Sequence, residues 1–228
     1  MPRLVAALIR HAEYQQLANT PSAHQPFPLT DKGRQQARQS ASGLLQEAGK
    51  HGWAIAGELH SSGLLREWET ASIIADHLKG THTVSTFAEL AERSVGCAAN
   101  LTIKQIEAVV GEDPRCDPLP KDWKSNSRFC LPLQGAESLV QAGERVAGHL
   151  KTAMQRLGQV ATEDTVKVFV GHGAAIRHAA YSLGILRFEE ISRLSMYHAE
   201  PVYIEYRESG WKHLAGNWKV RDQAVELD

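Results

Sequence analysis

Two short apolar runs constrain the fold of this chain more than any other feature. Residues 4–9 have the sequence LVAALI, and residues 166–170 have the sequence VKVFV. Runs of this length are typical of strands that are covered on both faces of a sheet. Between them, residues 63–78 carry apolar side chains at steps of three and four, which predicts an amphipathic helix. This alternation of strand and helix predicts an α/β fold.

The remaining patterns fit one domain over residues 1–228. Further predicted elements are strands at 54–60 and 82–86, helices at 30–49, 102–110 and 138–157, a helix from about residue 174, and a hairpin at 201–206 and 211–216. Together they predict a three-layer sandwich, with a mostly parallel central sheet and helices on both faces. The C-terminal hairpin adds antiparallel strands.

One long segment, at about residues 87–134, lacks a sustained pattern. Its prolines are Pro114, Pro118, Pro120 and Pro132. A segment of this length with little regular structure is commonly functional. We therefore expect an inserted lid here.

Composition narrows the classes of partner. The chain has 25 Lys and Arg against 26 Asp and Glu, a net charge of -1, so its charge balance indicates neither nucleic acid nor a membrane surface as partner. Cys97, Cys116 and Cys130 cannot all pair with one another, and a reducing cytoplasm is the simplest location. The sequence does not predict the oligomeric state.

Polar side chains follow three of the predicted strands. Arg10 and His11 come after the first apolar run, Ser62 after the second strand, and His172 after residues 166–170. Because ligands of open α/β sheets bind beyond the carboxyl ends of the strands, we expect these groups to converge.

The converging groups have the chemistry of a phosphate site. Arg10 and Arg66 can each grip two phosphate oxygens, and the helix N-termini after residues 62 and 172 add N–H donors. A neutral imidazole held in such a cradle can attack phosphorus. The leaving alcohol then needs a proton, which a Glu with a raised pKa can supply.

Four segments resemble the histidine phosphatase superfamily, whose fold is that of phosphoglycerate mutase. They are residues 10–13 (RHAE), 29–37 (LTDKGRQQA), 61–71 (SSGLLREWETA) and 171–177 (GHGAAIR). They occur in the family's order and cover nearly the whole chain. The resemblance implies that His11 is the nucleophile.

The same resemblance implies the other roles. Arg10, Arg66 and His172 contact the phosphoryl group, together with Ser62 and Gly173, and a lid acid donates the proton. No cofactor is needed. The candidates for the acid are Glu92 and Glu89, and the sequence ERSVG at residues 92–96 is similar to a mutase motif, which favours Glu92.

Three features depart from the family pattern. Ala12 replaces the usual glycine, which is expected to tighten the phosphate pocket. The tryptophan elements of glycolytic mutases are missing between Glu13 and Leu29, and their arginine pair is reduced to Arg115 followed by Cys116; these two absences favour hydrolysis over mutase activity. The predicted function is therefore a phosphomonoester hydrolase acting through phosphohistidine. The alternatives are a phosphoglycerate mutase and a non-catalytic phosphate-binding relative.

Two further questions concern the substrate and a metal. The region of Arg193 is similar to relatives that dephosphorylate proteins, so the substrate is either a small phosphorylated metabolite or a phosphoprotein.

A rival metal site would use His172, His178 and Glu13. A spacing of six puts the two histidines on poorly matched helix faces, and we expect no metal.

Overall fold

The computed structural model describes residues 2–21 and 24–221. The strands are β1 (Leu4–Arg10), β2 (Ala54–Ile55), β3 (Glu58–Ser61), β4 (Thr83–Thr86), β5 (Thr165–Gly171), β6 (Leu194–Ser195), β7 (Pro201–Arg207), β8 (Gly210–Ala215) and β9 (Lys219–Val220). The helices are α1 (Asp31–His51), α2 (Leu65–His77), α3 (Ile103–Glu112), α4 (Leu139–Val160), α5 (Gly173–Ser182) and α6 (Phe188–Ile191).

The main sheet has the strand order β4-β3-β5-β1-β7-β8, and β2 pairs with β5 beside β3. β1 runs parallel to β5 and antiparallel to β7. The β7–β8 hairpin supplies the remaining antiparallel pair of this sheet. The predicted sandwich, with a mainly parallel sheet, is confirmed.

Both faces of the sheet are covered. Leu8 and Phe169 point into a core shared with α4 and α5, and Ile9 and Val168 point into a second core against α1 and α2. Burial on both faces explains why the strands of the sheet centre are apolar without alternation. Lys167 departs from this pattern, and its ammonium donates to the backbone oxygen of Glu58 at 3.0 Å.

The start of α1 fixes the loop that follows β1. Thr30 caps the helix, because its Oγ1 accepts from the Gly33 N–H at 3.0 Å, as the sequence predicts. A Cβ at Gly33 would lie 1.9 Å from the backbone oxygen of Glu13. The glycine therefore lets helix and loop meet directly beside His11.

We expect Gly33→Ala to lower the free energy of unfolding by about 1–3 kcal/mol, because the backbone must shift to admit the methyl group. Gly43→Ala is a matched control on the same helix, since a Cβ there meets no atom within 4 Å. The control should instead stabilise the protein by about 0.5–1 kcal/mol through helix propensity. Urea denaturation of both variants measures the difference, and equal shifts would contradict the close-packing argument.

Two details differ from the sequence-based prediction. The strand predicted at 54–60 is divided, since β2 pairs with the start of β5 and β3 pairs with its end. The two-residue strands β6 and β9 form a separate antiparallel ribbon that was not predicted. Strands this short carry no readable periodicity, so only their pairing reveals them.

The segment predicted as a lid contains α3 and builds a small core of its own. The buried members of this core are Val95, Ala98, Ile106, Trp123 and Leu131. The indole Nε1 of Trp123 donates to Glu107 at 3.2 Å. Among the described residues, no helix is both long and apolar enough to cross a membrane.

Candidate active site

The sheet brings the two predicted histidines together although 161 positions separate them in the sequence. Arg10 at the end of β1 pairs in register with Gly171 at the end of β5, so His11 and His172 leave the same sheet edge. Their ring centroids are 5.4 Å apart. β3 ends beside them, because Ser61 pairs with Val170, and Ser62 follows. The predicted convergence is confirmed in position.

His11 is almost fully buried, and its ring is held in one tautomer. Nδ1 lies 2.8 Å from the backbone oxygen of Ala12, which can only accept, so Nδ1 carries the hydrogen. Burial, followed by the charge of Arg66, holds the pKa of His11 well below its usual range. The ring is therefore neutral at neutral pH, with a lone pair on Nε2.

His172 presents the opposite arrangement. Its Nδ1 lies 3.2 Å from Arg66 Nη2, which can only donate, and this contact favours a lone pair on Nδ1 and a hydrogen on Nε2. Nε2 then donates to Ser62 Oγ at 3.2 Å. Burial, with Arg66 as the next cause, also lowers the pKa of His172 well below its usual range.

Both predicted arginines lie close to this pair. Arg66 is fully buried in the first turn of α2, and its Nη1 donates to the backbone oxygen of Gln25 at 2.8 Å. Arg10 donates through Nη1 to the backbone oxygen of Met196 at 3.3 Å. A Cβ at Gly173, the first residue of α5, would lie 3.2 Å from Arg10 Cδ, so the glycine makes room for this side chain.

The two candidate acids point to different places. Glu92 Oε2 accepts from the Ala174 N–H at 3.3 Å, which puts its carboxylate at the N-terminus of α5, beside His172. Glu89 instead lines a cavity against α4, with His60 and His149. Arg145 of α4 fixes this segment by donating to the backbone oxygen of Glu89 at 2.8 Å. The geometry therefore favours Glu92.

A third carboxylate, Glu67, was missed by the sequence-based reasoning. It is fully buried beside both histidines, and its Oε1 lies 2.8 Å from Arg66 Nε. Burial raises the pKa of Glu67 to about 8. One signal was available, because Glu67 falls in line with Ala71 and Ile74 on the apolar stripe of α2.

A metal would find one suitable group of side chains within residues 2–21 and 24–221. The potential ligand atoms of His11, Glu67 and His172 lie within 4.8 Å of one another. The guanidinium of Arg66 already contacts the Glu67 carboxyl group, and a second arginine, Arg10, lies close by. The positive charges of these two arginines repel a divalent metal ion and attract an anion.

The rival ligand set from the sequence is not assembled. His178 uses Nδ1 toward the backbone oxygen of Ala174 and Nε2 toward Ser127 Oγ, at 2.7 and 2.9 Å. The Glu13 carboxylate pairs with Lys32 at 2.6 Å. His178 therefore connects α5 to the segment that precedes α4.

The sequence matches one family model. The family model of the histidine phosphatase superfamily, branch 1, matches residues 6–219. A comparison with curated proteins found no similar sequence.

Three solved structures have a similar fold. A mycobacterial glucosyl-3-phosphoglycerate phosphatase is 23% identical, with a TM-score of 0.65 over 96% of this chain and 98% of that one. The α-ribazole phosphatase from Shigella flexneri is 17% identical, with a TM-score of 0.71 over 98% and 99% of the two chains. A phosphoglycerate mutase from Bacillus anthracis is 16% identical, with a TM-score of 0.69 over 94% and 93%. The family match extends over nearly the whole length, and the chain belongs to the histidine phosphatase superfamily, branch 1.

Proposed function

We propose that this protein is a phosphomonoester hydrolase that acts through a phosphohistidine intermediate at His11. The observation that carries the proposal is the neutral, buried His11, whose Nε2 lone pair lies among Arg66, Arg10 and His172. A nucleophile close to two fixed cations, Arg66 and Arg10, suits attack on an anionic phosphoryl group, because those cations stabilise the charge of the transition state.

The reaction has two steps. In the first, His11 Nε2 attacks phosphorus, the bond from phosphorus to the ester oxygen breaks, and Glu92 gives its proton to the departing alcohol. In the second, Glu92 takes a proton from water, the water oxygen attacks phosphorus, and the P–N bond breaks. Inorganic phosphate leaves, and both residues return to their starting forms.

The other proposed ligands position the phosphoryl group. Arg10 and Arg66 offer planar forks that match phosphate oxygens. Gly173 begins α5, a ten-residue helix whose N-terminal N–H groups favour an anion. Ser62 is fixed through its contact with His172, which places its hydroxyl at the same end of the sheet.

The substrate class that we propose is a small phosphorylated metabolite. Two of the similar structures are, by name, a glucosyl-3-phosphoglycerate phosphatase and an α-ribazole phosphatase, and both names refer to small molecules. Residues 87–134, as a lid, would then set the choice among them. The cytoplasmic location stays a prediction.

The direct test is a screen of phosphorylated metabolites, phosphoglycerates and phosphopeptides with the purified full-length chain. Released inorganic phosphate is measured, and isomerised products are followed by chromatography. We expect phosphate release from a subset of the metabolites. Isomerisation without release would identify a mutase, release from peptides alone would identify a protein phosphatase, and turnover of no substrate would overturn the proposal.

Chelation gives a separate prediction. EDTA should leave the rate of p-nitrophenyl phosphate hydrolysis unchanged, because Arg10, Arg66 and His172 can bind the phosphoryl oxygens without a metal ion. The rate is compared before and after dialysis against the chelator. Loss of activity that a divalent ion restores would show that a metal takes part.

A further inference from the structure

Glu67 is a carboxyl group inside a site that otherwise suits anions. Its Oε1 lies 2.8 Å from Arg66 Nε, 3.2 Å from His172 Nδ1 and 3.7 Å from His11 Nε2. Reacting atoms approach within about 3–3.5 Å of each other before a bond forms. A phosphoryl group in position for attack by His11 therefore brings its oxygens next to the Glu67 carboxyl group.

The hydrogen bonds around His172 indicate the protonation state of Glu67. His172 Nδ1 holds a lone pair, because Arg66 Nη2 donates toward it. An ionised carboxylate at 3.2 Å would face that lone pair with no hydrogen between the two atoms. Neutralising Glu67 removes most of the negative charge that faces this lone pair, so the arrangement favours protonated Glu67 in the free protein.

Glu67 has polar and charged neighbours from several elements. They are His11 after β1, Ser62 before α2, Arg66 on α2, Glu92 from the segment before α3, and His172 after β5. Burial raises the pKa of Glu67 to about 8, and Glu92 raises it too, whereas Arg66 and Ser62 oppose this change. Both histidines are neutral at neutral pH, so Glu67 is the group here that changes charge near pH 8.

We propose that Glu67 and the bound phosphoryl group share one proton, so that this site accepts a tetrahedral oxyanion only when one of the two partners supplies it. An ionised carboxylate facing an oxyanion that carries no proton would bring negatively charged oxygens together with no hydrogen between them, which is strongly unfavourable in a buried site. A shared proton turns that repulsion into a hydrogen bond. The inference rests on the proposed function, since it takes the Arg10, Arg66 and His172 cradle as the phosphoryl site.

Tetrahedral anions differ in whether they bring a proton to this site. A phosphate monoester, with a second pKa of about 6, is a dianion without a proton above neutral pH. Sulfate likewise carries none. Inorganic phosphate keeps one proton as HPO₄²⁻ well above pH 8. Sulfate and esters therefore need the proton of Glu67, whereas inorganic phosphate brings its own.

The test measures the dissociation constants of sulfate and of inorganic phosphate by calorimetry from pH 6.5 to 10. For the wild-type protein, sulfate binding should weaken about tenfold per pH unit above pH 8, since it follows the protonated fraction of Glu67. Phosphate binding should stay nearly constant. In Glu67→Gln the amide donates a hydrogen bond at every pH, so the sulfate profile should become flat.

Glu47→Gln serves as the control, because it makes the same change on α1, where Glu47 pairs with Lys50 and His51. It should keep the wild-type contrast between the two anions. Parallel pH profiles for sulfate and phosphate in the wild-type protein would overturn the proposal, even if Glu67→Gln fails to fold. Because binding is measured without turnover, a protein that hydrolyses no ester can still pass this test, and an active phosphatase can still fail it.

Discussion

Replacement of His11 by alanine should abolish phosphate release from p-nitrophenyl phosphate and leave the fold intact. The variant lacks the Nε2 lone pair that we propose as the nucleophile. Loss of a residue that acts in a catalytic unit commonly costs on the order of 10⁴-fold or more in rate. The fold should persist because the β1–β5 pairing and the cores on the two sheet faces do not depend on this ring.

The measurement combines steady-state hydrolysis with circular dichroism and thermal unfolding. A second readout is the acid-labile phosphoenzyme, which should form in the wild-type protein and be absent from His11→Ala. His213→Ala is a matched control, since His213 is exposed on β8. Turnover that survives in a folded His11→Ala protein would remove His11 from the mechanism.

The second large effect concerns Glu92. Glu92→Gln should slow phosphoenzyme formation from an alkyl phosphate far more than from p-nitrophenyl phosphate. An alkoxide needs a proton as it leaves and a nitrophenolate does not, and general acid catalysis is typically worth roughly a hundred- to ten-thousand-fold. Rapid-quench measurements are required, because the same residue is proposed to activate water in the second step and steady-state rates would mix the two effects.

Glu89→Gln is the control for this experiment, since Glu89 lines a cavity away from the site. It should leave both substrates unaffected. Equal slowing of both substrates by Glu92→Gln would assign Glu92 to binding instead of proton transfer. Selective slowing of the alkyl ester by Glu89→Gln would move the proton donor to Glu89.

Much of the site could be predicted from the sequence, because the sequence shows where the buried strands end. An apolar run that stops at Arg10 and His11, and another that stops before His172, define two buried strands and the polar groups that leave them. Parallel pairing then brings those groups to one edge, and the register of Arg10 with Gly171 agrees. The family resemblance, carried by the same segments, is confirmed over residues 6–219.

The positions of the carboxylate side chains could be found only from the tertiary structure. Glu89 and Glu92 are three residues apart in a segment with little periodicity, and their directions depend on the anchoring of the backbone by Arg145 of α4. That contact spans more than 50 positions, and no local pattern encodes it.

Glu67 likewise shows which part of the site the sequence predicts and which part needs the tertiary structure. Helical spacing puts Glu67 in line with Ala71 and Ile74 on one face of α2, although the sequence-based reasoning did not single it out. The packing of α2 against β3 and β5 brings this side chain beside His11 and His172, where burial raises the pKa of the carboxyl group. Helical periodicity specifies which side chains of α2 are buried. It does not specify their neighbours, because the histidines beside Glu67 follow strands that are far away in the sequence.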